Sequence, residues 1–70
     1  METLKINGAE RQFAPGRMPE TLAALVEELN LDASSLVAEV DGVVVPAVQF
    51  DQTPIAPGQS IELIKFMGGG

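Results

Sequence analysis

Three consecutive glycines, Gly68, Gly69 and Gly70, end the sequence immediately after Met67. Glycine has no side chain to react, pack or pair, and it costs the most backbone entropy to order. A segment of this kind either does nothing or is meant to be grasped by another molecule. The rest of the chain offers no competing chemistry. It contains no His, Cys or Tyr, so Ser34, Ser35 and Ser60 have no base to activate them. Glu27 and Glu28 read as a solvated helix face. Asp41 forms no paired-carboxylate arrangement with them, and scattered carboxylates make no metal cage. The tail is therefore expected either to be acted upon by another protein or to be a frayed end that does nothing.

Composition narrows the setting. Seventy residues make one domain at most, close to the lower size limit for a fold without staples. Leu, Ile, Val and Phe supply 21 of the 70 residues, above the roughly 20% level that signals disorder, so a packed core is expected. There is no cysteine, no leader-like basic and apolar opening, and no apolar run near the roughly 20 residues of a membrane helix. These features predict a cytoplasmic protein without a membrane partner. The net charge is −6, with Lys5, Arg11, Arg17 and Lys65 as the only cations. Phosphate backbones would be repelled, so nucleic acid is not an expected partner. An acidic surface either speeds encounter with a basic protein or simply keeps the protein soluble.

Several elements must position the tail. Leu4 and Ile6 alternate with Thr3 and Lys5 as in a strand. Asn7-Gly8 is a tight-hairpin dipeptide, and a second strand is expected over about 10–14, ended by Ala14-Pro15-Gly16. From Pro19 the period changes. Leu22, Leu25, Val26 and Leu29 form one helical face, with Pro19 in the first turn, Glu20 beside it on the helix dipole and Asn30 as a left-handed cap. A helix of roughly 12 residues is not stable alone and must lie on a sheet. Leu36–Val40 reads as a third strand with Leu36, Ala38 and Val40 inward and Glu39 outward. Asp41-Gly42 turns into Val43-Val44-Val45, cut off by Pro46 as an edge strand. Residues 47–56 look irregular, with Phe50 and Ile55 tucked inward. Pro57-Gly58 turns into a final strand over 60–67. The first and last strands are the expected central pair. The whole is an α+β unit, a mixed sheet of about four to five strands with one helix across one face. The domain is expected over 1–67, with 68–70 as a flexible tail.

This order resembles the ubiquitin-like β-grasp fold. More specifically, "LKINGAERQF", "VAEVDGVVVP" (37–46) and "PGQSIELIKFMGGG" (57–70) resemble the ThiS-type sulfur carrier proteins of thiamine thiazole synthesis. The resemblance spans essentially the whole chain. Asp41 stands where that family usually has Asn, which serves the same turn. Ala47 stands where a basic residue is frequent, with Phe50 near the position of a family aromatic. Three glycines replace the usual two. The resemblance implies that Gly70 carries first an adenylate and then a thiocarboxylate, while Gly68 and Gly69 thread the partner's site. It implies an E1-like, ThiF-type adenylating enzyme, a ThiG-type thiazole synthase, and sulfide or a sulfur donor protein as partners. The protein itself would then be a cosubstrate with no cofactor of its own, the ATP being used by the adenylating enzyme.

A docking face follows from strand alternation. Ile61 and Leu63 should face the helix, leaving Ile64 and Phe66 toward solvent beside the tail, an arrangement typical of interaction patches. Val43 or Val45 could extend the patch, and Met67 could act as a flexible apolar contact at its neck. The competing expectation is that Ile64 and Phe66 pack beneath the 47–56 loop. Rival functions keep the fold but change the output. They are a carrier serving molybdopterin, cysteine or homocysteine synthesis, a protein modifier joined to lysines, and a binding module with an inert tail.

Overall fold

The computed structural model describes residues 1–66; Met67, Gly68, Gly69 and Gly70 lie outside the described residues. The expected boundary between a domain and a glycine tail falls there too. Among the described residues, five strands, β1 (Glu2–Ile6), β2 (Ala9–Phe13), β3 (Leu36–Val40), β4 (Val43–Val45) and β5 (Ser60–Lys65), and one α-helix, α1 (Leu22–Glu28), make up the regular structure together with two short 3-10 segments. The sheet runs in the order β2-β1-β5-β3-β4. β1 and β5 are parallel neighbours, and the other pairings are antiparallel. The first and last strands are thus the inner pair, and β4 is an edge strand, as the sequence predicts.

The two hairpins are set by their turn chemistry. Asn7 and Gly8 have φ of 51° and 84°, and Asp41 and Gly42 of 51° and 85°. Both positions of a two-residue hairpin turn need positive φ, which Asn, Asp and Gly tolerate best. Both polar turn residues also reach β5. Asn7 Oδ1 accepts from the Leu63 N–H at 2.7 Å, and Asp41 Oδ1 from the Ser60 N–H at 2.9 Å. The central strand is therefore gripped where its neighbours turn away.

The helix is shorter than its apolar pattern suggests. It begins at Leu22, with Thr21 as its cap accepting from the Ala24 N–H at 3.1 Å. Pro19 and Glu20 lie outside it. The reason is non-local. The Leu22 N–H donates to the Thr53 carbonyl, the Ile55 N–H donates to the Glu20 carbonyl, and Thr21 bridges Pro54. These bonds hold residues 20–22 extended against 53–55. The other end behaves as expected. Asn30 is left-handed at φ 59°, its N–H bonds the Glu27 carbonyl, and the Leu31 N–H bonds that of Val26. That is the paired bonding of a Schellman cap.

α1 buries Leu22, Leu25 and Val26 against one sheet face. There they join Leu4, Phe13, Leu36, Ala38, Val40, Val45, Ile61 and Leu63 in a single core. Each fully buried Leu or Ile contributes about 1.5–3 kcal/mol. Residues 47–52, expected to be irregular, form a 3-10 helix. It packs on α1 and plugs the core with Phe50, while Ile55 follows it inward.

Candidate functional site

β5 delivers the chain to its tail. Its alternation sends Ile61 and Leu63 into the core and leaves Ile64 and Phe66 exposed at 49% and 45%. The alternative of Ile64 and Phe66 buried beneath the 47–56 loop is not what is found. The strand ends at Lys65, short of the expected 67. Even so, the Phe66 N–H donates to the Ser35 carbonyl at 3.1 Å, so the last described residue is tied to the turn that leads into β3. Ser35 ends a 3-10 turn, Ala33–Ser35, capped by Asp32. The Asp32 carboxylate takes the hydroxyl of Ser34 at 2.7 Å and its N–H at 3.0 Å. Those bonds hold its pKa below the ordinary value of 3.8, chiefly through the hydroxyl. This capped turn steadies the residue that anchors the base of the tail.

Register decides which residues share the exposed face with Ile64. Across β5 and β3, Ile64 lies opposite Val37 and Glu62 opposite Glu39. Across β3 and β4, Glu39 lies opposite Val44. Directly opposed residues point to the same side of a sheet. Hence Val37, Val44, Ile64, Glu39 and Glu62 share the face that α1 does not cover. Two sequence expectations are corrected here. Val45 is 7% exposed and belongs to the core. Val43 is exposed, but it lies opposite Val40 and therefore on the helix side. Val44, 61% exposed, takes their place. The signal was available, because a two-residue turn at Asp41-Gly42 forces Val40 opposite Val43, so an outward Glu39 requires an outward Val44. Val37 was also missed, although strand alternation alone places it outward between the inward Leu36 and Ala38. Met67 and the glycines lie outside the described residues.

The face has a wet half as well. Lys5 lies opposite Glu10 across β1 and β2, continuing the same surface with charge. On the helix side, Arg11 closes the sheet edge, 3.5 Å from Glu28 and 5.5 Å above the Phe13 ring. A depression of about 610 Å³ lined by Glu2, Met18, Glu20, Ile55 and Pro57 opens at the end where β5 begins, opposite the end that carries Lys65 and Phe66. Among the described residues no group of three or more acidic, His or Cys side chains could hold a metal ion, and no helix is long and apolar enough to cross a membrane.

Comparison with known proteins agrees with this architecture. A crystal structure of a thiamine biosynthesis protein, ThiS, from Geobacter metallireducens superposes with a TM-score of 0.78, at 29% identity, covering 97% of this chain and 99% of that one. A solution NMR structure of a thiamine biosynthesis protein from the same organism gives 0.74 at 28% identity, covering 97% and 87%. A thiazole synthase of Paramagnetospirillum magneticum is 34% identical over 67 residues, 96% of this chain. This chain spans only about a fifth of that longer relative, 20% of its length. The ThiS family model matches residues 4–70. With its five-stranded mixed sheet, single helix and ThiS structural neighbours, the chain belongs to the ThiS family.

Proposed function

We propose that this protein carries sulfur as a thiocarboxylate on Gly70 and delivers it to thiazole formation in thiamine biosynthesis. The observation that carries the proposal is the joining of an uncovered apolar sheet face to the strand that leads into Gly68-Gly69-Gly70. Val37, Val44, Ile64 and Phe66 give a partner something to hold while the tail enters its site. Ordering three glycines costs on the order of 1–2 kcal/mol each, and binding energy from a remote face can offset that cost.

The chemistry balances. A Gly70 carboxylate oxygen attacks the α-phosphorus of ATP in the adenylating enzyme, and pyrophosphate leaves. Hydrosulfide, or a persulfide donor together with a reductant, then attacks the activated carbonyl carbon, and AMP leaves with its phosphate oxygen. The product is a thiocarboxylate. In this reading the protein is a cosubstrate, and Gly68 and Gly69 are the threading segment. The thiazole synthase relative supports the choice of recipient, because a stretch resembling this whole chain lies within a protein of that name.

The test exploits the absence of cysteine. After incubation with ATP, the adenylating enzyme of the same organism and sulfide, a thiol-directed alkylating label should attach once, at the terminal peptide. A chain lacking Gly70 should take no label. Equal labelling of the shortened chain would overturn the proposal. So would an unlabelled full chain beside an enzyme that loads another carrier.

A further inference from the structure

The final stretch of β5 is held from one side. The Asp41 N–H bonds the Ser60 carbonyl and the Phe66 N–H bonds the Ser35 carbonyl, and these two bonds frame the ladder between β3 and β5. Bonded pairs alternate along an antiparallel ladder, so Ser60, Glu62, Ile64 and Phe66 turn their main-chain groups toward β3. Ile61, Leu63 and Lys65 turn theirs toward β1. That strand, however, ends at Ile6, opposite Ile61. Asn7 extends its reach, with its N–H on the Ile61 carbonyl and its Oδ1 taking the Leu63 N–H. Among the described residues nothing on that side meets the Lys65 N–H. Past Ile64, the main chain of β5 is therefore held through the bond from Phe66 to Ser35.

That bond ends on a turn built around one residue. Asp32 accepts the Ser34 N–H at 3.0 Å and hydroxyl at 2.7 Å on Oδ1, and the Ser35 N–H at 3.1 Å and hydroxyl at 3.0 Å on its carbonyl. No residue of Ala33–Ser35 is buried, so these bonds order main chain and do not build the core. Asp32 thereby sets where the Ser35 carbonyl points. Four residues follow Phe66 in the sequence, and fully extended they span at most about 14 Å. The place where Phe66 is held limits where the terminal carboxylate can go. If that bond opened, the next bonded pair would be Ile64 and Val37. Lys65 and Phe66 would then have to be ordered along with the tail as it entered a site. Each residue so ordered costs about five- to thirtyfold in an equilibrium constant.

We infer that Asp32 is a positioning residue for the chemistry at the terminal carboxylate. Acting through the Ser35 carbonyl, it holds Phe66 and so fixes the point from which the tail enters the adenylating enzyme. The inference rests on the carrier reading above and adds to it a residue outside both the tail and the sheet.

The experiment compares the natural chain with Asp32→Ala, Asp32→Asn and Thr21→Ala. It measures steady-state adenylation by the organism's adenylating enzyme, and amide exchange at Phe66 in the free proteins. Asp32→Ala removes the side-chain acceptor, whereas Asp32→Asn keeps an oxygen that can accept. Thr21→Ala removes a cap of the same kind from α1, away from this turn. The expected result for Asp32→Ala is a fall in kcat/KM of about fivefold or more. Exchange at Phe66 should accelerate about tenfold or more relative to Glu62 on the same strand. Asp32→Asn and Thr21→Ala should both stay within about twofold of the natural kcat/KM. Natural activity in Asp32→Ala would overturn the inference. Equal losses in Asp32→Ala and Thr21→Ala would assign the effect to stability and overturn it as well. So would a loss that Asp32→Asn does not restore, or one without faster exchange at Phe66. In each of these cases adenylation of the natural chain would leave the carrier reading standing. A natural chain that is not adenylated would remove that reading and this inference with it.

Discussion

Leu63 and Ile64 are neighbours in sequence, similar in size and on the same strand, yet they belong to different parts of the protein. Leu63 is 7% exposed and packs under α1, whereas Ile64 is 49% exposed on the uncovered face. The two faces of β5 divide the molecule. The helix side holds an apolar core of strand and helix residues, and among the described residues no polar or charged side chain is buried. The other side combines Val37, Val44 and Ile64 with Glu39 and Glu62, and α1 does not cover it. Burial of Leu63 makes the fold; exposure of Ile64 leaves apolar surface for something outside it. Alternation along one strand lets a 70-residue chain do both without a separate binding domain.

That contrast can be tested by substitution, beginning with the inner face. Ile61 is fully buried on the central strand, and Ile61→Ala should cost about 2–5 kcal/mol. Small domains hold only about 0.05–0.15 kcal/mol per residue, so this loss is a large share of the total and the urea midpoint should fall steeply. Ile64→Ala, on the opposite face, should shift the same titration by no more than about 0.5 kcal/mol. Similar losses for the two would erase the distinction between the faces.

A smaller effect is expected where the hairpin turns grip β5. Asn7→Ala removes the acceptor for the Leu63 N–H and places a β-carbon residue at φ 51° without a local hydrogen bond. The expected loss is about 1–3 kcal/mol, read as a lower urea midpoint. Amide exchange at Leu63 should accelerate, and unchanged protection there would show that this bond does not hold the strand.

The smallest effect concerns the turn that anchors Phe66. The pKa of Asp32 is lowered in the fold by Ser34, so its charge favours the folded state above the unfolded value of about 3.8. That contribution is lost as pH falls through the lower folded value. Asp32→Asn keeps an acceptor but not the charge. Its melting temperature should lie slightly below the natural chain's near neutral pH, and the gap should close in acid below the ordinary carboxylate range. A gap independent of pH would assign the effect to geometry and not to charge.

Legibility from sequence followed the range of the interactions involved. Asn7-Gly8, Asp41-Gly42 and the Asn30 cap are local, and each formed where the residue types required. The alternation of Ile61, Leu63 and Ile64 needed only the strand period. The start of α1 was misplaced because residues 20–22 are captured by 53–55, more than 30 positions away in sequence. Thr21 before an apolar run was the available clue to the true cap. The 3-10 helix at 47–52 has little periodic signal. In Val43-Val44-Val45, identical residues hide the period, so the outward valine emerges only when the turn is used to set register. The Glu39–Glu62 pair needs the register of two strands that are distant in sequence, and no local pattern carries it.

The most direct measurement compares Ile64→Asp with the natural chain in two assays: thermal melting, and steady-state adenylation by the organism's adenylating enzyme. The account predicts a melting temperature within a few degrees of the natural value and a fall in kcat/KM of about a hundredfold or more, since a charge replaces a central apolar contact. Normal adenylation would contradict the claim that the uncovered face of the sheet is where the partner docks. Loss of the fold would contradict the claim that Ile64 lies outside what holds the protein together.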